Sequence, residues 1–243
     1  MEGDETGGSC PRVFGDTEQR LWMVKAPNNP QNGQVLASEF VGAVIGSRLG
    51  AAIPPAAICE LSDELVVGLT FPDGRAWASG EGFGSHLLPS APPLFAVGTH
   101  EPVLNGAGLA AVVAVDTLLG SHNGRQARAC PAPGGWSVWG VDFGHDIGPG
   151  AWNRSTLLGS PDPTRLEDPN GWLAHSSTED WAEVADTLSG ITDDDFTRIV
   201  GSIPLVWGPA AEDRSGLVAY LVRRREPVVT LIRQRIGAEE AKQ

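Results

Sequence analysis

The segment from Leu21 to Pro55 constrains the fold more than any other. Leu21-Trp22-Met23-Val24-Lys25 is a short apolar run that predicts a strand ending on a positive charge. The next eight residues, Ala26-Pro27-Asn28-Asn29-Pro30-Gln31-Asn32-Gly33, are dominated by turn formers and read as a loop. Val35, Leu36, Phe40, Val44, Ile45 and Leu49 then recur at spacings of three and four, which predicts a helix over about 34–49 with one buried stripe. Gly50 supplies a stop, and Pro54-Pro55 prevents continuation. Ala56–Glu60 and Glu64–Phe71 read as two further strands joined at Ser62-Asp63. The sum is a small sheet carrying one helix.

The second half reads differently. Residues 78–102 are rich in Gly, Pro and Ser and predict an irregular connection. A strongly apolar helix follows over about 106–119, then a polar loop over 120–130. A turn at Pro133-Gly134-Gly135 leads into a strand over 136–141 that ends at Asp142-Phe143-Gly144-His145-Asp146. Residues 149–175 read as irregular. Two helices close the chain, about 179–202, broken near Gly190, and about 213–237, interrupted at Pro227. The expected division is a leader over 1–11 without structure, a small lobe over 12–80, a linker over 81–101, a helical lobe over 102–237 and a tail over 238–243.

Charge and length narrow the function classes. A chain of 243 residues can bury roughly 70–75% of its unfolded surface, so it needs no disulfide or structural metal to fold. Its net charge of −13 repels polyanions and argues against nucleic acid as a partner. The one dense basic cluster, Arg223-Arg224-Arg225, reads as a solvated or carboxylate-paired helix face. No apolar run is long enough to span a bilayer, and the acidic, polar N-terminus is unlike a secretory signal, so the expectation is a cytoplasmic protein without a membrane partner. Cys10, Cys59 and Cys130 match no metal spacing and read as reduced thiols. Trp152, Trp172 and Trp181 read as core packing or, if exposed, as an interface, and the expected partner is an unspecified protein or small molecule.

Only two of the 17 basic residues are lysines, Lys25 and Lys242, so the body of the chain keeps one compact ammonium among arginines. A lysine ending a strand and Glu39 on the following helix can form an ion pair that holds the ammonium against a nucleotide's phosphates, or can be an exposed lysine beside a solvated glutamate. Asp142, directly after an apolar strand and before a glycine, can present its carboxylate to Mg²⁺ or serve as ordinary turn chemistry.

Several segments, taken in order, resemble the HipA-like kinase family, a bacterial branch related to the protein-kinase-like fold. Trp22-Met23-Val24-Lys25 with Asn29-Pro30-Gln31-Asn32-Gly33 resembles the family's ATP-lysine strand and Asn-Pro-Gln loop. Ser38-Glu39-Phe40, Arg48-Leu49-Gly50 and Ile53-Pro54-Pro55 resemble its glutamate helix and exit. Gly82-Phe83-Gly84-Ser85 resembles its Gly-x-x-Phe-Gly-Ser stretch, and Val141-Asp142-Phe143-Gly144-His145 its metal strand. Ile203-Pro204-Leu205-Val206-Trp207 and Leu221-Val222-Arg223-Arg224-Arg225 resemble its closing motifs. The resemblance spans about 20–236. It implies an α+β, two-lobed kinase-like fold, with a small N-terminal sheet lobe and a mainly helical C-terminal lobe. It further implies ATP and Mg²⁺ in the cleft between them, with Lys25 on phosphate, Glu39 orienting Lys25 and Asp142 on the metal.

The family's catalytic loop, Asp-x-Trp-x-x-Asn-x-Asp-Arg-His-x-x-Asn, falls on Asp116 to Arg128, where only Asp116 survives. The catalytic aspartate falls on Asn123, which cannot accept a proton as a carboxylate does. The metal-binding asparagine falls on Arg128, a cation. Three readings follow: a nucleotide-binding pseudokinase used as a regulatory module, an active phosphotransferase with His122 or Asp146 as base and Arg128 stabilising phosphate, or a metal-dependent hydrolase around Asp142, His145 and His122.

Overall fold

The computed structural model describes residues 8–88, 102–121, 126–147, 152–168 and 171–242. Four strands form one antiparallel sheet: β1 (Arg12–Gly15), β2 (Leu21–Lys25), β3 (Ala56–Leu61) and β4 (Gly80–His86), in the order β1-β2-β4-β3. The β1–β2 turn is built on Asp16, whose carboxylate accepts from the Glu18 and Arg20 N–H groups and from Trp22 Nε1. Lys25 lies opposite Phe83 and Trp22 opposite His86, so β4 fills the centre of the sheet.

This corrects the reading of 78–102 as irregular from its start. Glycine is poor in strands, which hides β4 in the sequence. Here the glycines are required by close approach. A Cβ at Gly82 would lie 2.7 Å from the Lys25 carbonyl oxygen, and one at Gly84 would strike Cys59 Sγ. The strand expected over 64–71 is likewise absent. Asp63–Val66 is a short helix, α2, followed by turns and a single bridge between Thr70 and Ala76. Residues 62–79 cover one face of the sheet, where Val66, Phe71 and Trp77 bury Val24 and Leu61 in a satellite core. Residues 8–11 are ordered against the sheet's loop rather than free: Ser9 is buried and its carbonyl accepts from Asn29 Nδ2.

The larger core joins helix α1 (Gly33–Arg48) to the second half of the chain. Asn32 caps α1, its side chain accepting from the Gln34 and Val35 N–H groups. Helix α3 (Gly106–Leu119) is buried almost throughout, as its Ala, Val and Leu content demands. Gly108 meets Ala52 so closely that a Cβ would lie 2.8 Å from the Ala52 methyl. Ala52 N–H donates to Gly108 O, and Gly140 N–H to Ala52 O, so the exit of α1 is laced to α3 and to the hairpin of β5 (Gln126–Ala132) and β6 (Gly135–Val141). Strand β5 begins at Gln126, inside the stretch read as a polar loop, and residues 122–125 lie outside the described residues.

Helix α4 (Arg154–Gly159) and a 3-10 turn (Trp172–His175) occupy part of the stretch read as irregular. Helices α5 (Thr178–Gly190) and α6 (Asp193–Gly201) carry reciprocal caps at Ser177/Asp180 and Thr192/Asp195, which accounts for the break near Gly190. Trp152, Trp172 and Trp181 are fully buried, so they are core and not the interface their exposure would have marked. Helix α7 (Ala211–Glu240) runs through Pro227 without interruption. Proline costs about 3 kcal/mol inside a helix. Val228, Val229 and Ile232, all buried, each return about 1.5–3 kcal/mol.

Arg223-Arg224-Arg225 is not a solvated face. Arg224 is 5% exposed, and its guanidinium donates to the carbonyls of Thr117, Leu118 and Pro161. The Tyr220 hydroxyl donates to Leu119 O, so α7 satisfies the otherwise orphaned end of α3. Arg223 donates to Leu158 O and Ser160 O and pairs with Asp162, while Arg225 binds Ile191 O and Asp193. Replacing Arg224 with Leu leaves three carbonyls without donors and is expected to cost about 2–4 kcal/mol. Thermal unfolding should show a fall of about 5–15 °C. A variant as stable as wild type would contradict the brace.

Candidate functional site

Strand β2 ends with Lys25, whose side chain leaves the sheet on the face that meets α1. Burying an ammonium requires counter-charges, and two arrive from distant parts of the chain. Lys25 Nζ is paired with Glu39 on α1 and lies 3.1 Å from Asp142 Oδ1 at the end of β6. Lys25 is 8% exposed and Glu39 3%. The structure therefore brings together all three residues singled out from the sequence as cofactor or metal contacts.

Glu39 serves a second partner. Its other oxygen accepts the Phe143 backbone N–H at 2.9 Å. Val35, Glu39 and Gly42 lie at i, i+4 and i+7 on one face of α1, and this face is fitted to Asp142-Phe143-Gly144. A Cβ at Gly42 would lie 2.6 Å from the Phe143 ring, and one at Gly144 would lie 2.6 Å from Val35 Cγ1. Phe143 is thus buried in the main core while Asp142 remains at the surface of the site. Asp142 has φ +67°, in the left-handed region that non-glycine residues seldom adopt. Such a conformation costs on the order of 1–3 kcal/mol and persists where the surroundings enforce it. Here Phe143, the Glu39 acceptor and the Lys25 pair enforce it.

The electrostatics follow from two carboxylates sharing one ammonium in a buried place. For Lys25, burial acts to lower the pKa, but Glu39 and Asp142 outweigh it and the ammonium is held charged. For Glu39, burial raises the pKa to about 7; Lys25 opposes this, and the charge of Asp142 adds to it. For Asp142, burial pushes upward, but Lys25 and hydrogen bonds to Glu39 and the Gly144 N–H bring it down to about 2. The cluster carries one unit of excess negative charge when both carboxylates are ionised, an arrangement suited to a further cation.

The second half of the site departs from the alignment of motifs. Gln126, not Arg128, reaches Asp142: its Nε2 donates to Asp142 Oδ2 at 2.9 Å. Sequence reasoning missed Gln126, although the alternation Gln126-Ala127-Arg128-Ala129 sets it opposite Val141, one residue before Asp142. Arg128 lies one pleat further along the same strand. Asp146 is buried and accepts from Ser121 Oγ at 2.7 Å, which ties the end of α3 to the turn after Asp142. Asp116 is buried on α3. His145 is exposed. Asn123 and His122 lie outside the described residues. Among the described residues, no three His, Cys, Asp or Glu side chains gather as metal ligands. A surface cleft of about 540 Å³, lined by residues such as Leu173, Trp181 and Arg235, contains none of the site residues.

No protein-family model matches the chain, and no curated protein matches it significantly. Among solved structures, the chain is similar to the proinflammatory kinase CtkA of Helicobacter pylori. The TM-score is 0.61 at 13% identity, over 98% of this chain and 94% of that one. The likeness shows the fold: a small antiparallel sheet and a mostly helical remainder, arranged as in a kinase.

The Glu39 carboxyl yields a test by pH. Its pKa is raised from 4.5 to about 7, so between those values the native chain holds a proton that the unfolded chain releases. Native stability from this group is therefore full below pH 4.5 and is lost as pH rises to about 7. Glu39→Gln is expected to gain stability relative to wild type across that window, by up to about 3 kcal/mol at its top. Denaturant unfolding at a series of pH values checks this. A difference that does not change with pH would overturn it.

Proposed function

We propose that this chain binds a nucleoside triphosphate with Mg²⁺ at the Lys25–Glu39–Asp142 cluster. ATP is the nucleotide that the sequence resemblance implies. The chain serves as a binding or regulatory module, impaired in phosphoryl transfer. The observation that carries the reading is the buried ammonium of Lys25 held between Glu39 on α1 and Asp142 at the end of β6, with Asp142 in a strained backbone state. A merely structural ion pair needs one carboxylate. Once Glu39 ionises, two carboxylates around one ammonium leave an excess negative charge, which a divalent cation neutralises, and phosphate oxygens complete the charge balance.

The residues present fit such a group. Asp142 supplies a carboxylate at the surface of the cluster, and the Gln126 amide beside it has an oxygen that can turn to a metal in place of its present N–H contact. Mg²⁺, when bound, screens the negative charge of the β- and γ-phosphates. Lys25 places a point charge against the same phosphates. Glu39 keeps Lys25 from swinging out and fixes Phe143 through its backbone N–H, which sets the direction of the Asp142 carboxylate.

Transfer needs a base, and Asn123 stands where the resemblance calls for an aspartate. An amide does not take a proton from an attacking hydroxyl, a loss of about 10²–10⁴ in rate. Asp146 is a poor substitute because it is buried and bonded to Ser121.

Melting with and without MgATP tests the reading. Ligand at a hundredfold its Kd stabilises by about 2.7 kcal/mol, which corresponds to a rise of about 5–10 °C. Lys25→Met and Asp142→Asn should each abolish that rise while retaining a cooperative transition of their own. Wild type should show little transfer of the γ-phosphate. Equal stabilisation of wild type and both site variants would sink the assignment.

A further inference from the structure

The two strands that end at Lys25 and Asp142 share a direction. Strand β4 ends at His86, and Leu87 N–H donates to Leu21 O, so the chain leaves the sheet beside the start of β2. It is next described at Pro102, whose carbonyl accepts from Trp136 N–H at the start of β6. Both strands that end at the ion pair therefore begin beside the connection between the two halves. From Lys25 back to Leu21 and from Asp142 back to Trp136, the two strands run toward Leu87 and Pro102.

The wall on the helical side is one face of the β5–β6 hairpin. Ala129 and Val138 are buried on its inner face, toward the core. Gln126, Arg128, Trp139 and Val141 share the other face, because directly opposed residues of an antiparallel pair point the same way. Gln126 marks that face as the one turned to Asp142. Arg128 lies one step nearer the connection, with Trp139 as its cross-strand neighbour, and both are half-buried. Most described arginines of this acidic chain are tied to carboxylates or carbonyls, as at Arg20, Arg48, Arg223 and Arg224. Among the described residues, the Arg128 guanidinium has neither kind of partner.

We propose that Arg128 and Trp139 form a subsite for the base of the nucleotide, and that it selects a 6-oxopurine over adenine. The proposal rests on the phosphates lying at Lys25 and Asp142. The nucleoside end then runs toward the connection and passes over Arg128 and Trp139. A guanidinium is a pure donor. It pairs in bidentate fashion with O6 and N7 of guanine, whereas adenine sets an amino donor where O6 would be. Trp139 offers a face for stacking, which is indifferent to the identity of the base. The phosphoryl acceptor would approach from the opposite side of the phosphates, so it does not compete for Arg128.

Calorimetric titration with MgGTP, MgITP and MgATP separates the possibilities. GTP and ITP share O6 and N7 and are expected to bind roughly 5–100-fold tighter than ATP. In Arg128→Met the preference should fall below about threefold, with an unliganded melting temperature close to wild type. Trp139→Leu should weaken all three nucleotides by similar factors. ATP binding as tightly as GTP to wild type, or a preference kept in Arg128→Met, would overturn the base assignment while leaving the phosphate site intact. Failure of all three nucleotides to bind would overturn the nucleotide reading itself, and this subsite with it.

Discussion

A buried ammonium sets the terms for the rest of the molecule. Leaving water costs a charged group several kcal/mol unless opposite charge and hydrogen bonds are supplied on arrival. Lys25 obtains them from Glu39 and Asp142, which come from a helix and from a hairpin more than a hundred positions away. The sheet, α1 and the β6 terminus must therefore meet at one point for any of them to be satisfied. Glu39 extends the requirement by accepting the Phe143 N–H, so that side-chain charge and backbone conformation are fixed by the same carboxylate.

Small residues make that meeting possible. Gly42 leaves the space that the Phe143 ring fills, and Gly144 allows the chain to pass Val35. Gly108 lets Ala52 approach α3, where two backbone hydrogen bonds lace the exit of α1 to the helical half. Trp207 joins the two halves elsewhere: its Nε1 donates to Glu81 O in β4, its ring meets Phe40 edge-on, and its backbone lies against Gly33. Behind the site, Arg224 and Tyr220 hold the end of α3, the helix that leads into residues 120–125. The flank of the site is thus braced by α7, the last helix of the chain.

The parts of this arrangement that were legible in the sequence are those governed by local pattern. The apolar run to Lys25, the helix after it, the helix over 106–119 and the strand into Asp142 follow from periodicity and turn residues, and all four are present, although α1 is buried on most faces, with Phe40 and Val44 only half-buried, rather than along one stripe. The candidates Lys25, Glu39 and Asp142 came from residue type and order along the chain. What was hidden depends on contacts far apart in sequence. Strand β4 carries glycines that only the proximity of Lys25 O and Cys59 explains. The arginine run looks like a solvated face until the orphaned carbonyls of α3 are set beside it. Pro227 looks like a break until the burial of Val228, Val229 and Ile232 is counted. Gln126 was passed over because counting along the motif selected Arg128, whereas strand register selects its neighbour two residues earlier.

The central claim is that Asp142, presented by the Lys25–Glu39 cluster, holds a divalent cation in company with nucleotide phosphates. Electron paramagnetic resonance of Mn²⁺ titrated into the protein with and without nucleoside triphosphate tests it most directly. The account requires a protein-bound Mn²⁺ signal that depends on nucleotide and disappears in Asp142→Asn. A bound signal of equal strength in Asp142→Asn, or one indifferent to nucleotide, would contradict it.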